Sequence, residues 1–436
     1  MSSSPGLLFV EANTTGTGML ALGHARRLGY EPVFLTRDPA RYRGLDETGA
    51  RVVPCDTNDR AALFAAADRL AAEPGSCAGP AGVTTTSDFY LLAVAALAER
   101  LGLPGNPEAV VRTCRDKAAV REALAAHGID QPAFAEVSSL DQAADAVRAV
   151  GLPCVVKPVD GSGSENVRIC RTMAQARSQL AAVLAAHVNV RGQPSARRAL
   201  VEEYIVGPEL SVEMFSEAGV AHGIGITEKS VTSPPHAVEW RHLYPALLDP
   251  GRTPEIFAAV GAILAAVGYR TGPSHTEIRL GARGPMLIEI NPRLAGGMIP
   301  ELVRLVDGVD LLEQQVRCAV GEKARLTARR AAVAGIRFLT AEREGVVRTV
   351  RGLDQARALE HITQVTVTAV AGTAVGPPRD AYGRLGYAIA ASPSRELTVR
   401  GLDQAFELLR PEITGITEID EFTEITEEAD RLDRTA

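Results

Sequence analysis

The opening hundred residues alternate short apolar runs with longer stretches whose apolar positions recur every three or four residues. GLLFV (6–10), PVFLT (32–36), RVVPC (51–55) and GVTTT (82–86) are bounded by Gly, Pro or polar residues and read as buried strands. Helical periodicity covers 18–29, 59–73 and 88–101, so strands alternate with helices as in a parallel sheet of an α/β layer domain. Pro and Gly cluster at LGLPGNPEA (101–109) and mark a break. Beyond it the pattern predicts helices over 107–113 and 116–127. LPCVVKPVDGSGSENVRIC (152–170) then reads as strand, Gly-Ser turn, strand: a hairpin.

An amphipathic helix over 172–187 and the polar linker RGQPSARR (191–198) separate this hairpin from a different texture. ALVEEYIV, ELSVEMF, VAHGIGITEK, HTEIRL and PMLIEINP follow as strands, with one long helix over 254–267, which predicts an α+β domain on a mostly antiparallel sheet. A further unit of mixed strands and helices, including AVAGIRFLT and QVTVTAVAG, begins near 325. RGLDQA occurs at 351–356 and again at 400–405, a local coincidence rather than a repeat architecture. The acidic tail EITEEADRLDRTA is expected to fray. The expected domains are therefore 1–110 (α/β), 111–198 (a small subdomain with the Gly-Ser loop), 199–324 (a larger subdomain) and 325–436 (mixed).

Composition narrows the function. With 436 residues, 46% hydrophobic and 23% charged, the chain is long enough for several globular domains. A net charge of −7 argues against a nucleic-acid or anionic-membrane partner, and 10 Phe, 8 Tyr and 1 Trp are too few for a stacking platform. No run approaches the ~18 apolar residues of a membrane span, and MSSSPGLLFV lacks the basic start of a signal peptide, so a cytoplasmic location is expected. Cys55, Cys77, Cys114, Cys154, Cys170 and Cys318 form no C-x-x-C pair and read as small buried hydrophobes in a reducing compartment. Of the 46 basic residues only four are lysine: Lys117, Lys157, Lys229 and Lys323. Where arginine serves as the general cation, a retained lysine points to a place that needs a compact ammonium.

Several motifs carry chemistry. Gly16-Thr17-Gly18 with Ala21, and Asp38 near the end of the second strand, form a partial dinucleotide fingerprint and raise a nicotinamide-dependent oxidoreductase as one reading. Lys157 leads into Asp160-Gly161-Ser162-Gly163-Ser164, where backbone N–H groups and an ammonium suit a phosphate, although no GxxxxGK[ST] loop occurs. Glu202, Glu203, Glu209 and Glu213 punctuate two strands broken by Gly207-Pro208. Glu277 and Glu289 lie on two strands joined by a turn at 281–284, so they are expected to face one another across a hairpin. The period of two puts Glu289 and Asn291 on one face, with Ile288 and Ile290 on the other. Two carboxylates and an amide oxygen make a hard site suited to Mg²⁺ with bound phosphates, and Arg293 is placed to contact a group in transfer.

The ordered set Lys117, Lys157 with its Gly-Ser loop, Glu202-Glu203-Tyr204-Ile205, Glu209, Glu277 and Glu289-Ile290-Asn291-Pro292-Arg293 resembles the ATP-grasp superfamily over roughly residues 1–320. The resemblance implies an ATP-grasp fold between an N-terminal α/β domain and a C-terminal mixed domain, with ATP and Mg²⁺ as cofactors. Lys117 and Lys157 would contact ATP phosphates, with Gly161, Ser162, Gly163 and Ser164 closing over them. Glu202, Glu203, Tyr204 and Ile205 would hold adenine and Glu209 the ribose; Glu277, Glu289 and Asn291 would bind the metal. The segment 226–246, with Glu228-Lys229 and Glu239-Trp240-Arg241-His242, is similar to bacterial L-amino-acid ligases and related carboxylate–amine ligases. That narrower resemblance implies substrate contacts from Glu239, His242, Arg293, Gly296 and Gly297. Gly297 stands where the family commonly has a larger, size-limiting residue, so a roomier pocket is expected. The expected activity is amide formation from a small-molecule carboxylate and an amine, one of them an amino acid, through an acylphosphate stabilised by Arg293 and Lys157. A carboxylase-type member using carboxyphosphate and a non-catalytic binding protein are the rivals, and a homodimer is left open.

Overall fold

The structure, a computed structural model, describes residues 4–14, 17–72, 79–233, 236–329 and 332–415. Gly16 of the dinucleotide-like motif, Cys77 and the acidic tail lie outside the described residues. The chain divides into two compact units: Met1–Ser162, Asn166–Lys229 and Leu243–Ala331 form the first, and Gly163–Glu165, Ser230–His242 and Ala332–Ala436 the second.

The first unit begins with β1 (Gly6–Val10), α1 (Gly18–Arg27), β2 (Glu31–Thr36), β3 (Arg51–Pro54), α2 (Arg60–Ala71), β4 (Gly82–Thr84) and α3 (Leu91–Leu101). The strands pair in parallel in the order β3-β2-β1-β4, the sheet that the alternating pattern predicts. Leu8, Val10, Val33, Leu35, Leu63, Val83 and Leu97 form its core. The helix expected over 88–101 is preceded by a tight turn at Asp88–Tyr90, which presents Asp88 at the C-terminal end of the sheet. Gly18 allows α1 to start against the loop after β1, since a Cβ there would come within 2.1 Å of the Asn13 carbonyl oxygen.

Next come α4 (Glu108–Arg115), α5 (Lys117–Ala126), β5 (Phe134–Val137), α6 (Ala143–Val150), β6 (Cys154–Pro158), β7 (Arg168–Cys170), α7 (Met173–Ala185) and β8 (Ala199–Glu203). β6 and β7 are the expected hairpin, antiparallel with Cys154 opposite Cys170. They lie in a four-stranded sheet of order β5-β8-β6-β7. β5 is only four residues of mixed polarity, too short for its alternation to show in the sequence.

β9 (Glu209–Glu217), β10 (Val220–Val231), β11 (Glu239–Tyr244), α8 (Arg252–Ala266), β12 (Gly272–Gly281), β13 (Gly284–Asn291), α9 (Ile299–Asp307) and α10 (Leu311–Ala319) follow. β13, β12, β9 and β10 pair antiparallel in that order. α5, α8 and the inward faces of these strands share a core that includes Val120, Leu124, Ile256, Val260, Ile263, Ile278 and Ile290. The ladder shifts register between Glu277 and Ile278, so Leu287 and Ile290 reach this core while Ile288, expected to share the face of Ile290, is only half-buried: the strict period of two breaks beside Glu289. Two amphipathic helices that are not among the expected elements, α9 and α10, complete the unit.

The second unit contains β14 (Val333–Thr340), β15 (Gly345–Arg351), α11 (Leu353–Arg357), β16 (Ile362–Val367), β17 (Ala374–Val375), β18 (Arg384–Ser392), α12 (Arg395–Leu408) and β19 (Arg410–Thr414). β14, β18 and β16 pair antiparallel, as do β17, β15 and β19. Leu339, Val350, Leu385, Leu402 and Leu409 are part of the core beneath them. Among the described residues, no helix is long and apolar enough to cross a membrane.

Candidate active site

The β12–β13 hairpin sets the geometry of the acidic cluster. Its register places Glu277 directly opposite Glu289 and His275 opposite Asn291, the facing pair that the spacing predicts. Each carboxylate has a lysine: Lys229 Nζ lies 2.9 Å from Glu277 and Lys117 Nζ 3.3 Å from Glu289. Asn291 is buried, and its Oδ1 accepts no hydrogen bond from any described residue. A buried acceptor without a donor is costly unless something electropositive completes it, so its chemistry fits a hard cation. His275 is wedged between Glu213 at 2.8 Å and Glu277 at 3.3 Å. Burial alone would lower its pKa, but the Glu213 and Glu277 carboxylates outweigh that and push it up to about 9.

A second cluster lies around Glu202. α5 starts at Lys117 because the Asp116 carboxylate accepts from the backbone N–H groups of Ala118 and Ala119, an N-cap. Lys117 Nζ also donates to the Gly161 carbonyl at 2.8 Å, at the base of the Gly-Ser loop. Arg121, one helical turn on, is fully buried; its Nε donates to Glu202 Oε1 at 2.6 Å and its Nη2 to the Leu287 carbonyl at 2.7 Å. Lys157 Nζ lies 2.5 Å from Glu202 Oε2 and donates to the Ile288 carbonyl at 3.1 Å. Burial would raise the Glu202 pKa, yet the charges of Arg121 and Lys157 hold it below the usual glutamate value. Glu203 accepts from Ala133 N at 3.1 Å and from Arg283 at 2.6 Å. Arg279 stacks over Tyr204, donates to the Ile205 carbonyl at 3.1 Å and pairs with Glu209 at 2.9 Å.

Arg293 is clamped. Its Nε donates to Asp88 Oδ1 at 2.6 Å, its Nη2 to Asp88 Oδ2, and its Nη1 to the Leu294 carbonyl at 2.6 Å. Ser162 Oγ donates to the same Asp88 carboxylate at 2.7 Å, and Arg115 Nη1 stands 3.6 Å away. Burial pushes the Asp88 pKa up, but Arg293 and Arg115 overcome it and hold the group well below the carboxylate range. Gly161 and Ser162 belong to the first unit, whereas Gly163 and Ser164 cluster with the second. Both of the latter have left-handed φ, +69° and +62°, and the Gly163 carbonyl accepts from Ala381 N at 3.1 Å.

In the second unit, Glu239 and His242 pair through Nε2 and Oε2 at 3.0 Å, and Arg384 Nη2 donates to the same Glu239 oxygen at 3.1 Å. Gly297 has φ +56°, while a Cβ built on Gly296 meets no heavy atom within 4 Å. The described half of the dinucleotide-like motif has local duties. Gly18 provides the close approach noted above, and Asp38 caps the turn Pro39–Arg41 by accepting from Ala40 N.

The sequence reading did not single out Asp88, Arg115, Arg121, His275 or Arg384 as site residues. Arg121 had a signal, because it follows Lys117 by four residues and shares its helix face. Asp88 had a weaker one, following four hydroxyl residues, Thr84–Ser87, at the C-terminal edge of a parallel sheet, where ligands gather. Arg384 is surrounded by no motif.

The ATP-grasp domain family matches residues 150–301, an ATP-grasp N-terminal domain matches 22–105, and the L-amino acid ligase C-terminal domain 2 matches 337–414. An uncharacterised protein, y4rH, of Sinorhizobium fredii is 32% identical over 95% of this chain and 84% of its own length. Carnosine synthase 1 of Gallus gallus is 29% identical over 62% of this chain but only 31% of its own length. The alanine–anticapsin ligase of Bacillus subtilis strain 168 is 26% identical over 54% of this chain and 53% of its own. The chain thus spans about a third to a half of the length of these two ligases. In fold, it is similar to the crystal structure of L-amino acid ligase from Bacillus licheniformis, with a TM-score of 0.80 at 22% identity over 94% of this chain and 100% of that one. The three domains matched in order, together with the relative that aligns along nearly the whole chain, show that the protein belongs to the ATP-grasp ligase family.

Proposed function

We propose that this protein is an ATP-dependent carboxylate–amine ligase that joins a small acid to an amine, one of them an amino acid, through an acylphosphate. The observation that carries this reading is the Glu277–Glu289 pair beside the unpartnered Asn291 oxygen, with Lys117, Lys157 and Arg293 reaching the same strand region. A free carboxylate is a poor acyl donor, because it is anionic and its oxygen leaves badly. Transfer of the γ-phosphoryl group of ATP makes that oxygen a good leaving group, and the amine then attacks the acyl carbon. Mg²⁺, held by Glu277, Glu289 and Asn291, would neutralise phosphate charge, work that positioning and electrostatics dominate.

The protein's own groups then divide the task. Lys117 and Lys157 bind phosphate oxygens, and Gly161, Ser162, Gly163 and Ser164 cover them, keeping water from the acylphosphate. Glu202, Glu203, Tyr204 and Ile205 hold adenine, with Glu209 on the ribose. Arg293 donates to the acylphosphate and to the oxyanion of the tetrahedral intermediate. Glu239 and His242 contact the substrate, and Gly296 and Gly297 leave room for its side chain. The ligases among the relatives, carnosine synthase 1 and alanine–anticapsin ligase, support amide formation with an amino acid.

The test is phosphate release from Mg-ATP across a panel of carboxylates, each with and without amino acids, with products weighed by mass spectrometry. Release that requires both acid and amine, with the coupled mass appearing, is expected. Release with bicarbonate alone would replace this reading by a carboxylase.

A further inference from the structure

Asp88 has no part in the reading above, yet it gathers partners from three distant segments. It is 6% exposed and sits just past β4, and it contacts Arg293, Ser162 and Arg115. A guanidinium carries five N–H donors in one plane. Arg293 uses Nε–H and one Nη2–H on the two Asp88 oxygens and one Nη1–H on the Leu294 carbonyl. One N–H on each terminal nitrogen is left over, in a plane that the two-point contact with Asp88 fixes. A single-point acceptor would leave the whole plane free to turn about the Cδ–Nε bond, and the leftover donors would have a far less fixed direction. Ser162, on the Gly-Ser loop, donates to one of the same two oxygens.

We infer that Asp88 is a positioning residue: it aims the remaining N–H pair of Arg293 at the oxygens of a carboxylate or acylphosphate. By accepting from Ser162, it makes loop seating and Arg293 orientation depend on one carboxylate. What Arg293 meets rests on the ligase reading; the orientation itself does not.

The experiment has a structural arm and a kinetic arm. In a crystal structure of Asp88→Asn, the Arg293 guanidinium is expected to leave the orientation it holds in a crystal of the wild type. With the acid and amine that the wild type joins, Asp88→Asn is expected to lower kcat about 10²-fold, the scale of a misplaced catalytic group, with the KM for ATP nearly unchanged. Ser162→Ala removes only the loop contact and keeps the Asp88–Arg293 pair, so it tests the coupling even where Asp88→Asn folds poorly. It is expected to raise the ADP released per amide formed about fivefold, the scale of one hydrogen bond. An Arg293 that stays in place in Asp88→Asn overturns the inference, as does wild-type kcat. A fall in kcat matched by an equal loss of ATP affinity also overturns it, since that marks a structural ion pair. An unchanged ADP-to-amide ratio in Ser162→Ala overturns the loop coupling. A wild type that joins no acid to any amine removes the ligase reading alone, and the crystal comparison still decides the positioning role.

Discussion

Glu277 and Glu289 stand opposite one another across the β12–β13 ladder, and each carboxylate is met by a lysine from elsewhere in the chain, Lys229 at 2.9 Å and Lys117 at 3.3 Å. Like charges directly opposite in a ladder are destabilising, so the pair persists only with compensating cations. The lysines provide part of that compensation, and a divalent ion would provide more.

Mg²⁺ is therefore expected to raise the melting temperature in the presence of nucleotide. The gain should approach about 2.7 kcal/mol when the free ion reaches roughly a hundred times its Kd. Glu289→Gln should remove the Mg²⁺-dependent part and with it ATP turnover. Differential scanning fluorimetry with and without EDTA checks this; a Glu289→Gln protein that still gains the full shift would take the metal away from this hairpin.

Arg293→Ala should abolish amide formation, with a loss of at least about 10²–10³ in kcat, while Mg-ATP still binds. Calorimetric titration with a non-hydrolysable ATP analogue alongside the product assay separates the two. Undiminished turnover would remove Arg293 from the chemistry.

Glu202 gives a pH prediction with a definite sign. Its folded pKa is depressed, so its contribution to stability is fully present above the unfolded value of about 4.3 and is lost as the pH falls through the lower folded value. Glu202→Gln leaves Arg121 and Lys157 buried without their anion and should cost about 3–5 kcal/mol at pH 7. The gap to wild type should narrow below about pH 4. Urea unfolding at a series of pH values measures it, and a gap that stays constant into acid would contradict the assignment.

Gly296→Trp should restrict the acid substrate by size. The Cβ direction there is open, whereas at Gly297 a side chain would be strained by the φ of +56° whatever the space, so position 296 is the sounder place to test pocket volume. For acids with large side chains, kcat/KM should fall about tenfold or more relative to small ones, with the KM for ATP unchanged. An unaltered size profile would place the substrate side chain elsewhere.

The sequence displayed the parts of this protein that are local. Strand–helix alternation in the first hundred residues and the hairpin spacing of Glu277 and Glu289 are short-range patterns, and both the parallel sheet and the facing pair are in the structure. The apolar face expected of Ile288 and Ile290, by contrast, is broken by a register shift that no local pattern shows. Lys117 and Lys157 stood out because lysine is rare here. The long-range cations were not legible in the same way. Arg121 reaches a carbonyl 166 positions away and Arg293 a carboxylate 205 positions away. In a chain with 42 arginines, nothing in composition separates these two from the surface ones. Nor could hydropathy show that Glu202 is buried between two cations, because a buried charge and an exposed one read alike until the partners are placed.

The turn joining β12 to β13 is tight, so the two facing glutamates are brought together by a contact that closes almost no chain. The lysine and arginine contacts to the same strand must wait for segments more than a hundred residues earlier, at separations of 131 and 166. The facing carboxylates are thus a short-range contact, Lys229 reaches Glu277 over an intermediate span, and Lys117 reaches Glu289 only across a much longer one. Until those distant segments dock, the facing carboxylates lack part of their compensation, so Mg²⁺ is expected to speed refolding of the denatured protein, which stopped-flow refolding with Mg²⁺ against EDTA measures.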